Sequence, residues 1–456
     1  MIVSKSFCLE SATLFERIAN QQWCCFLQSA SSEHENSRYD ILVADPIATV
    51  CTRAEISTVR LGEQHYQSKQ APFDLLEKLR LQLFSKATDQ QLELPFCGGA
   101  LGLWSYDLSR QLEPLPQRLQ ADLRSPDMAV GFYDWALIYD HQQQRSTLVH
   151  YADHDDQLSA YAQLVEREQW LLQQQAAPEQ TFSLTSQWQS NLSQAQYQQR
   201  FAQVQQYLLS GDCYQINLTQ RFQASYQGSE LTAYQKLIAA NKAPFSAFLR
   251  LEDSCILSVS PERFIRLKQG MIETKPIKGT RPRSSDLAKD RALAEELAIA
   301  EKDQAENLMI VDLLRNDIGR VAKSGSVTVP KLFNIESFPA VHHLVSTIRA
   351  ELAKQYSSEQ LLAACFPGGS ITGAPKIRAM QIIEELEANR RNAYCGAIGY
   401  ISANGDMDTN ITIRTLVCEQ QQIYCWAGGG IVVDSEVDAE YQECFDKLSR
   451  ILPALQ

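Results

Sequence analysis

The sequence predicts an α+β fold, and three observations carry that expectation. Strand-like and helix-like segments are mixed along its 456 residues without the strict strand–helix alternation of a doubly wound parallel sheet. With 45% hydrophobic and 21% charged residues, the chain has ample material for a large core. No internal repeat is evident in it. Length alone suggests about two to four domains, with a single large α/β domain as the alternative.

The first 167 residues read as short apolar runs such as YDILVADPIATV, GALGLWSYDL and DMAVGFYDWALIYD, β-branched and aromatic and bounded by Gly, Pro and Asp as strands are. Residues 168–191 are rich in Gln and Ser and read as a connection. From 192 to 456 strands and helices follow in mixed order. Ser193 is placed to cap a helix whose apolar positions are Tyr197, Phe201, Val204 and Leu208, with Gly211 as its stop. CYQINLTQRF alternates as a half-buried strand with Tyr214, Ile216, Leu218 and Phe222 on one face. A helical pattern runs from Asp286 to about Ile318, and the last third mixes strands such as AIGYIS and NITIRTLVC with helices such as PKIRAMQIIEEL.

A formal net charge of -12 disfavours nucleic acid and anionic membrane as partners. No apolar run approaches the ~18 residues of a bilayer span, and the N-terminus lacks a signal-peptide stretch, so a cytoplasmic location is expected. The twelve cysteines include no CxxC and no zinc spacing, so they read as buried, reduced thiols.

Several groups could carry chemistry. Asp303 and Glu306 lie three apart on one helix face, as do Glu440 and Glu443, with Lys447 a turn further on. Paired carboxylates on two helices suit Mg2+, which prefers oxygen ligands, although solvated acidic faces explain them equally when each pair is taken alone. FPGGSITGAPK runs into a helix start, which attracts anions, but Ala374 and Pro375 stand where a nucleotide P-loop needs Lys and Ser/Thr. The glycines of WAGGGIVVDS permit either close approach of a ligand or a bulge. Arg414, in ITIRT, reads as a strand arginine suited to a carboxylate. Glu262, His343 and Lys278 are, taken singly, a strand-end acid, a histidine that a core could accommodate and a turn lysine.

Together, SPERF, KPIKGTRPR, KDQAENLMIVDLLRNDIGRV, VHHLVSTI, FPGGSITGAPK, GAIGYIS, ITIRT and AGGGIVVDSEVDAEYQECFDK resemble the chorismate-utilising enzymes over about residues 192–450. The first part, with FLQSASSEHENSRYDILVADPIAT and GGALGLWSYDLSR, resembles their anthranilate-type companion region. The resemblance implies one large α/β sandwich of two packed, antiparallel-rich sheets with outer helices. It implies Mg2+ on Glu306 and Glu443, with Asp303 and Glu440 holding the metal's waters. It places Gly279, Thr280, Thr372, Gly373, Tyr400, Arg414, Gly429, Gly430 and Lys447 against chorismate, Glu262 as the acid that protonates the departing carbon 4 hydroxyl, and His343 beside the developing charge. The anthranilate enzymes read PIAGT where this chain reads PIKGT. The lysine implies the branch that aminates carbon 4, giving 4-amino-4-deoxychorismate for 4-aminobenzoate and folate synthesis, with Lys278 as a nucleophile that must be neutral when it attacks. Two alternatives share the scaffold: an anthranilate-forming enzyme and a non-catalytic amino-acid-binding subunit. No cysteine sits in a glutaminase-type turn, so ammonia is expected from a separate glutamine amidotransferase subunit. An L-tryptophan site is implied at Ser29, Ser37, Arg38, Tyr39, Asp40, Pro244, Phe245 and Ser246.

Overall fold

The computed structural model describes residues 1–30, 37–85, 93–175, 178, 180–338 and 341–456. Among these, strands form two antiparallel sheets of thirteen and twelve members. Side chains alternate across the first sheet as the two-residue period of a strand requires. Cys25, Ile41, Val43, Ala247 and Leu249 face the second sheet and join a core with Val50, Leu101, Phe264 and Ile398. Their neighbours Phe26, Leu42 and Phe248 face outward and pack under helices, with Phe15, Leu164, Phe201 and Leu237. The expected sandwich of two sheets with outer helices is what forms.

Each sheet is built from both regions, with five strands in each sheet coming from the N-terminal one. The first joins them where Cys25–Gln28 pairs with Phe245–Arg250. The second joins them where Gly99–Trp104 pairs with Ala397–Ser402. The strand orders on either side of these seams mirror each other. The fold is therefore a topological duplication that the sequence no longer displays, and its two halves share both sheets and the core between them.

Leaving aside the two-residue strand Gly373–Ala374, the chain in each half passes twice from one sheet to the other. The C-terminal passages lie between Cys255–Ser260 and Arg263–Lys268, and between Met407–Ile411 and Thr415–Glu419. The N-terminal ones lie between Tyr39–Val43 and Ala48–Arg53, and between Met128–Tyr133 and Trp135–Asp140.

Some local readings need correction. Residues 168–191 are not a free connection: the helix Gln157–Gln173 runs into them with Leu171 buried, and Phe182–Leu184 pairs with the sheet edge. Trp170 packs edge-on against Trp135 there, so apolar anchors outweigh the Gln-rich composition. Tyr214 is 70% exposed and precedes the strand Gln215–Gly228, which is buried along most of both faces. The helical stretch after Asp286 is two helices, Leu287–Ala298 and Glu301–Gly319, so Asp303 falls in a first turn. The helix capped by Ser193 is as expected, Gln194–Leu209 with a full capping box. All twelve cysteines are free, ten of them buried.

Candidate active site

Glu262 and Arg414 occupy the two C-terminal passages between the sheets. The passages are laced together: the Val259 amide donates to the Arg414 carbonyl at 3.0 Å, the Ile411 amide to the Glu262 carbonyl at 3.0 Å, and Ser260 Oγ to the Ile411 carbonyl at 2.6 Å. Arg414 is thus not a strand residue. Its φ of 52° is left-handed, a conformation that costs a non-glycine residue about 1–3 kcal/mol. Among the described residues its guanidinium has no hydrogen-bond or ion-pair partner; burial depresses its pKa, Arg450 adds to the depression, and Glu262 opposes it. A strained, unpaired arginine is a group arranged for a ligand anion.

The Glu262 side chain is 8% exposed, and burial pushes its pKa up to about 7 against the charges of Lys278 and Lys447, the Ser370 hydroxyl and the Ile277 amide. Ser370 Oγ lies 3.5 Å from Glu262 Oε1. A carboxyl that titrates near neutrality can deliver a proton at working pH.

Lys278 lies on the edge strand Ile277–Pro282, paired with Val341–Glu351. A register shift falls between Lys278 and Thr280. Its Nζ is 3.9 Å from Glu306 Oε2, and its side chain is 16% exposed. Gly279 makes the turn possible: its φ is +71°, and a Cβ there would stand 2.8 Å from both Asp303 Cγ and Leu297 Cδ1. Arg281 ties the same turn to Asp303 at 3.3 Å. Thr280 Oγ1 and His343 Nδ1 are 2.9 Å apart across the strands, next to Lys278. Gln304 donates from Nε2 to the Ala298 carbonyl at 2.6 Å and closes the preceding helix.

The second acidic pair comes from the helix Val437–Leu448, packed on the glycine strand Gln422–Ile431. That strand pairs with Gln215–Gly228 without a register shift, so its glycines do not form a bulge. They give room: a Cβ at Gly429 would lie 2.7 Å from Glu440 Oε2, and one at Gly430 would lie 1.9 Å from Gln215 Nε2. Lys447 Nζ bonds Glu443 at 2.6 Å and the Gly428 carbonyl at 2.8 Å. Burial raises the pKa of Glu306, with Lys278 and Lys302 opposing and Asp303 and Glu443 adding to the rise. Burial also raises Glu440, against Ser435, while Glu443 adds to the rise.

No group of three or more Asp, Glu, His or Cys among the described residues closes to metal-ligating distance. The donor set still fits a divalent cation. Four carboxylates gather from two helices with mutual repulsion, Lys278 and Lys447 supply the counter-charge, and the buried Glu440 Oε2 has no partner. Thr372 is fully buried, its hydroxyl bonded to the Gly368 carbonyl at 3.1 Å, and Gly373 at φ +147° lies against Gln215.

Tyr400 does not join this cluster. Its ring packs edge-on against Phe96 and lines a separate, larger cavity of about 1080 Å³. Beside Glu262 lies a cavity of about 10 Å³, so the larger of these two voids and the chemistry lie in different places. Ser29, Arg38, Tyr39, Pro244, Phe245 and Ser246 line the large cavity. Asp40 and Ser37 do not. Asp40 holds Ser11, the Ser29 amide and His141 at 3.2, 2.8 and 2.8 Å, which makes it a brace behind the wall. Two residues escaped the sequence reading. Ser370 was hidden among loop polar residues. Gln215, fully buried with both amide atoms unpartnered, lay in an ordinary strand pattern.

Comparison with known proteins decides the family. The profile described as chorismate binding enzyme matches residues 23–453. The chain belongs to the chorismate-binding enzymes. It is 53% identical over 442 residues, 97% of this chain and 96% of the other, to Aminodeoxychorismate synthase component 1 of Klebsiella aerogenes. It is 33% identical to Anthranilate synthase component 1 of Acetivibrio thermocellus, over 97% and 92% of the two chains. The crystal structure of anthranilate synthase component I from Streptococcus pneumoniae TIGR4 superposes with a TM-score of 0.80 at 32% identity, covering 92% of this chain and 93% of that one. Among the described residues no helix is long and apolar enough to cross a membrane.

Proposed function

We propose that this chorismate-binding enzyme aminates chorismate at carbon 4, giving 4-amino-4-deoxychorismate with the enolpyruvyl group retained. The observation that carries the reading is Lys278 itself, held by a tight glycine turn between the near-neutral acid Glu262 and the carboxylate Glu306. The 53% identical Klebsiella protein, named Aminodeoxychorismate synthase component 1, supports it.

In this reading the neutral Lys278 amine attacks ring carbon 2. Both ring double bonds shift by one position, and the carbon 4 hydroxyl leaves as water with the proton of Glu262. The proton on the new secondary ammonium passes to a base in the site. Ammonia then attacks carbon 4, both double bonds shift back, and Lys278 departs as an amine with the proton that the incoming ammonium gives up; chorismate and ammonia become aminodeoxychorismate and water. Arg414 with the Thr372–Gly373 and Gly429–Gly430 backbones takes the two substrate carboxylates. His343, fixed by Thr280, orients the group beside Lys278. Glu306 and Glu443 would hold Mg2+, with Asp303 and Glu440 on its waters. Bound there, the ion would neutralise a ring carboxylate. Ammonia comes from a separate glutamine amidotransferase subunit, a reading that the relatives' designation as component 1 supports.

The test is product analysis with chorismate, Mg2+ and either ammonium salt or glutamine. Aminodeoxychorismate from ammonium but not from glutamine is expected of the chain alone. Anthranilate as product, or glutamine use without a partner, would overturn the corresponding part. Intact-mass analysis of protein trapped with chorismate in the absence of ammonia should map an adduct to Lys278.

The large cavity supports a second reading, an L-tryptophan site. Its polar wall includes Ser29 and Arg38, and its apolar wall includes Phe245 and Pro244. Added L-tryptophan should raise the melting temperature, or the amino acid should be released on denaturation; neither effect from protein freed of small molecules would remove the proposal.

A further inference from the structure

Arg391 lies outside every site residue named so far, yet its guanidinium is 1% exposed and reaches the backbone behind the substrate loop. It donates from Nη1 to the Ile371 carbonyl at 2.8 Å and from Nη2 to the Asn217 carbonyl at 2.8 Å. Ile371 immediately precedes Thr372. Asn217 sits opposite Gly430, and its amide donates to the Thr372 carbonyl at 2.8 Å. One planar fork thus spans the loop that carries Thr372 and Gly373 and the strand that supports the glycine strand. Glu387 neutralises it at 2.6 and 3.0 Å and also accepts from the Thr219 amide and hydroxyl at 3.1 and 2.7 Å. The other face of the guanidinium stacks on Tyr106 at 4.8 Å, and Asn392 next in sequence bonds Asp107 at 2.8 Å, so the N-terminal region clamps the same group.

A buried ion pair is a poor source of net stability, because desolvating both charges offsets their attraction. A pair of apolar side chains would fill this volume with no desolvation penalty. It would not hold two buried carbonyls, one on the loop before Thr372 and one on the strand Gln215–Gly228, at one spacing, and carbonyls left without donors are costly. What the arginine supplies is therefore position. We propose that Arg391, set by Glu387 and Tyr106, is a positioning residue that fixes the Thr372–Gly373 loop against the Gln215–Gly228 strand at the width the substrate carboxylates require. The inference rests on the substrate reading of that loop.

The test compares Arg391→Lys, Arg391→Met and Glu387→Gln in the full chain, using two readouts. In steady-state kinetics with chorismate and ammonium salt, Glu387→Gln and Arg391→Lys should raise KM for chorismate about tenfold or more and change kcat less than threefold. Arg391→Met should do so more strongly, and Arg391→Lys should recover part of the Met defect. In hydrogen-exchange mass spectrometry the peptide spanning 366–375 should exchange at least tenfold faster in each variant, with Ala48–Arg53 unchanged. A KM within twofold of the parent for both Glu387→Gln and Arg391→Lys would overturn the proposal. So would exchange that rises uniformly across the chain, the mark of a merely structural pair. If the parent protein itself fails to aminate chorismate, the functional reading falls, and the exchange arm still decides whether Arg391 fixes the loop.

Discussion

The duplicated fold carries two pairs of passages between its sheets, and they have been finished in opposite ways. At the N-terminal pair, Asp45 and Asp134 mark the passages. Asp45 is left-handed at φ 52° like Arg414, but it is paired with Arg167 at 2.9 Å. Asp134 is half-buried and raised by desolvation, with His150 at 4.0 Å and Arg167 lowering it. Arg167 arrives on the helix Gln157–Gln173 and stacks on Trp135 and Trp170 at 5.1 and 4.9 Å, closing the opening. At the C-terminal pair, the helix that follows the corresponding hairpin brings Glu440, Glu443 and Lys447, and glycines where bulk would otherwise stand. Arg414 is left unpartnered there and Glu262 is buried without a full counter-charge. The same topology gives a plug in one half and a charged opening in the other. The difference lies in side chains that are stabilising in one place and poised in the other.

The largest expected effect tests the open end. Lys278→Ala should lower amination at carbon 4 by at least ~10³-fold, about 4 kcal/mol of barrier at ~1.4 kcal/mol per tenfold. Residual product should shift toward attack at carbon 2. Product mass spectrometry reads both, and near-normal carbon 4 amination would reduce Lys278 to a binding group. Glu306→Gln and Glu443→Gln should each abolish turnover at limiting Mg2+ with the circular dichroism spectrum intact. Full activity in either variant would remove that residue from the metal reading.

The plugged end should respond in stability instead of rate. Arg167→Met keeps the aliphatic stem but removes the Asp45 pair and the charge over two indoles. About 1–2 kcal/mol of stability should be lost, read as a lower denaturation midpoint, with kcat and KM for chorismate within twofold. A turnover defect as large as the stability defect would show that the two ends are not functionally separate.

What could be read in advance follows the same division. The Ser193 cap, the helix face through Tyr197, Phe201, Val204 and Leu208, and the paired acids are local patterns, and locality is what a sequence preserves. Arg414 looked like a strand residue because its neighbours are β-branched; its left-handed backbone is imposed by the passage between sheets, which no local pattern encodes. Tyr400 is placed with the substrate on motif alone, and its ring instead packs on Phe96 in the wall of the large cavity. Residues 168–191 looked free because Gln and Ser dominate them, yet Trp170 and Leu171 suffice to dock that helix end. Gln215 and Arg391 gave no local signal at all, because what they face is supplied by strands far away in the chain.

The remaining effect concerns the acid at the open end. Glu262 has a folded pKa of about 7 against an ordinary value of 4.5, with burial as the main cause. Between those two values the folded chain holds this proton more tightly than the unfolded chain does. Stability therefore falls as pH rises through that window, because the slope follows protons bound in the unfolded state minus those bound in the native state. The contribution of Glu262 is most favourable below 4.5 and is lost by the time pH exceeds about 7. Glu262→Gln cannot titrate. Relative to the parent it should gain roughly 3.5 kcal/mol between pH 4.5 and 8, at about 1.4 kcal/mol for each pH unit separating the two pKa values, while losing amination. The informative quantity is the trend with pH and not the offset, since the amide also changes how the Ser370 hydroxyl and Ile277 amide are met. Denaturant midpoints for the two proteins that run parallel across that range would mean that Glu262 is not held protonated by its surroundings, and the open end would lose its acid.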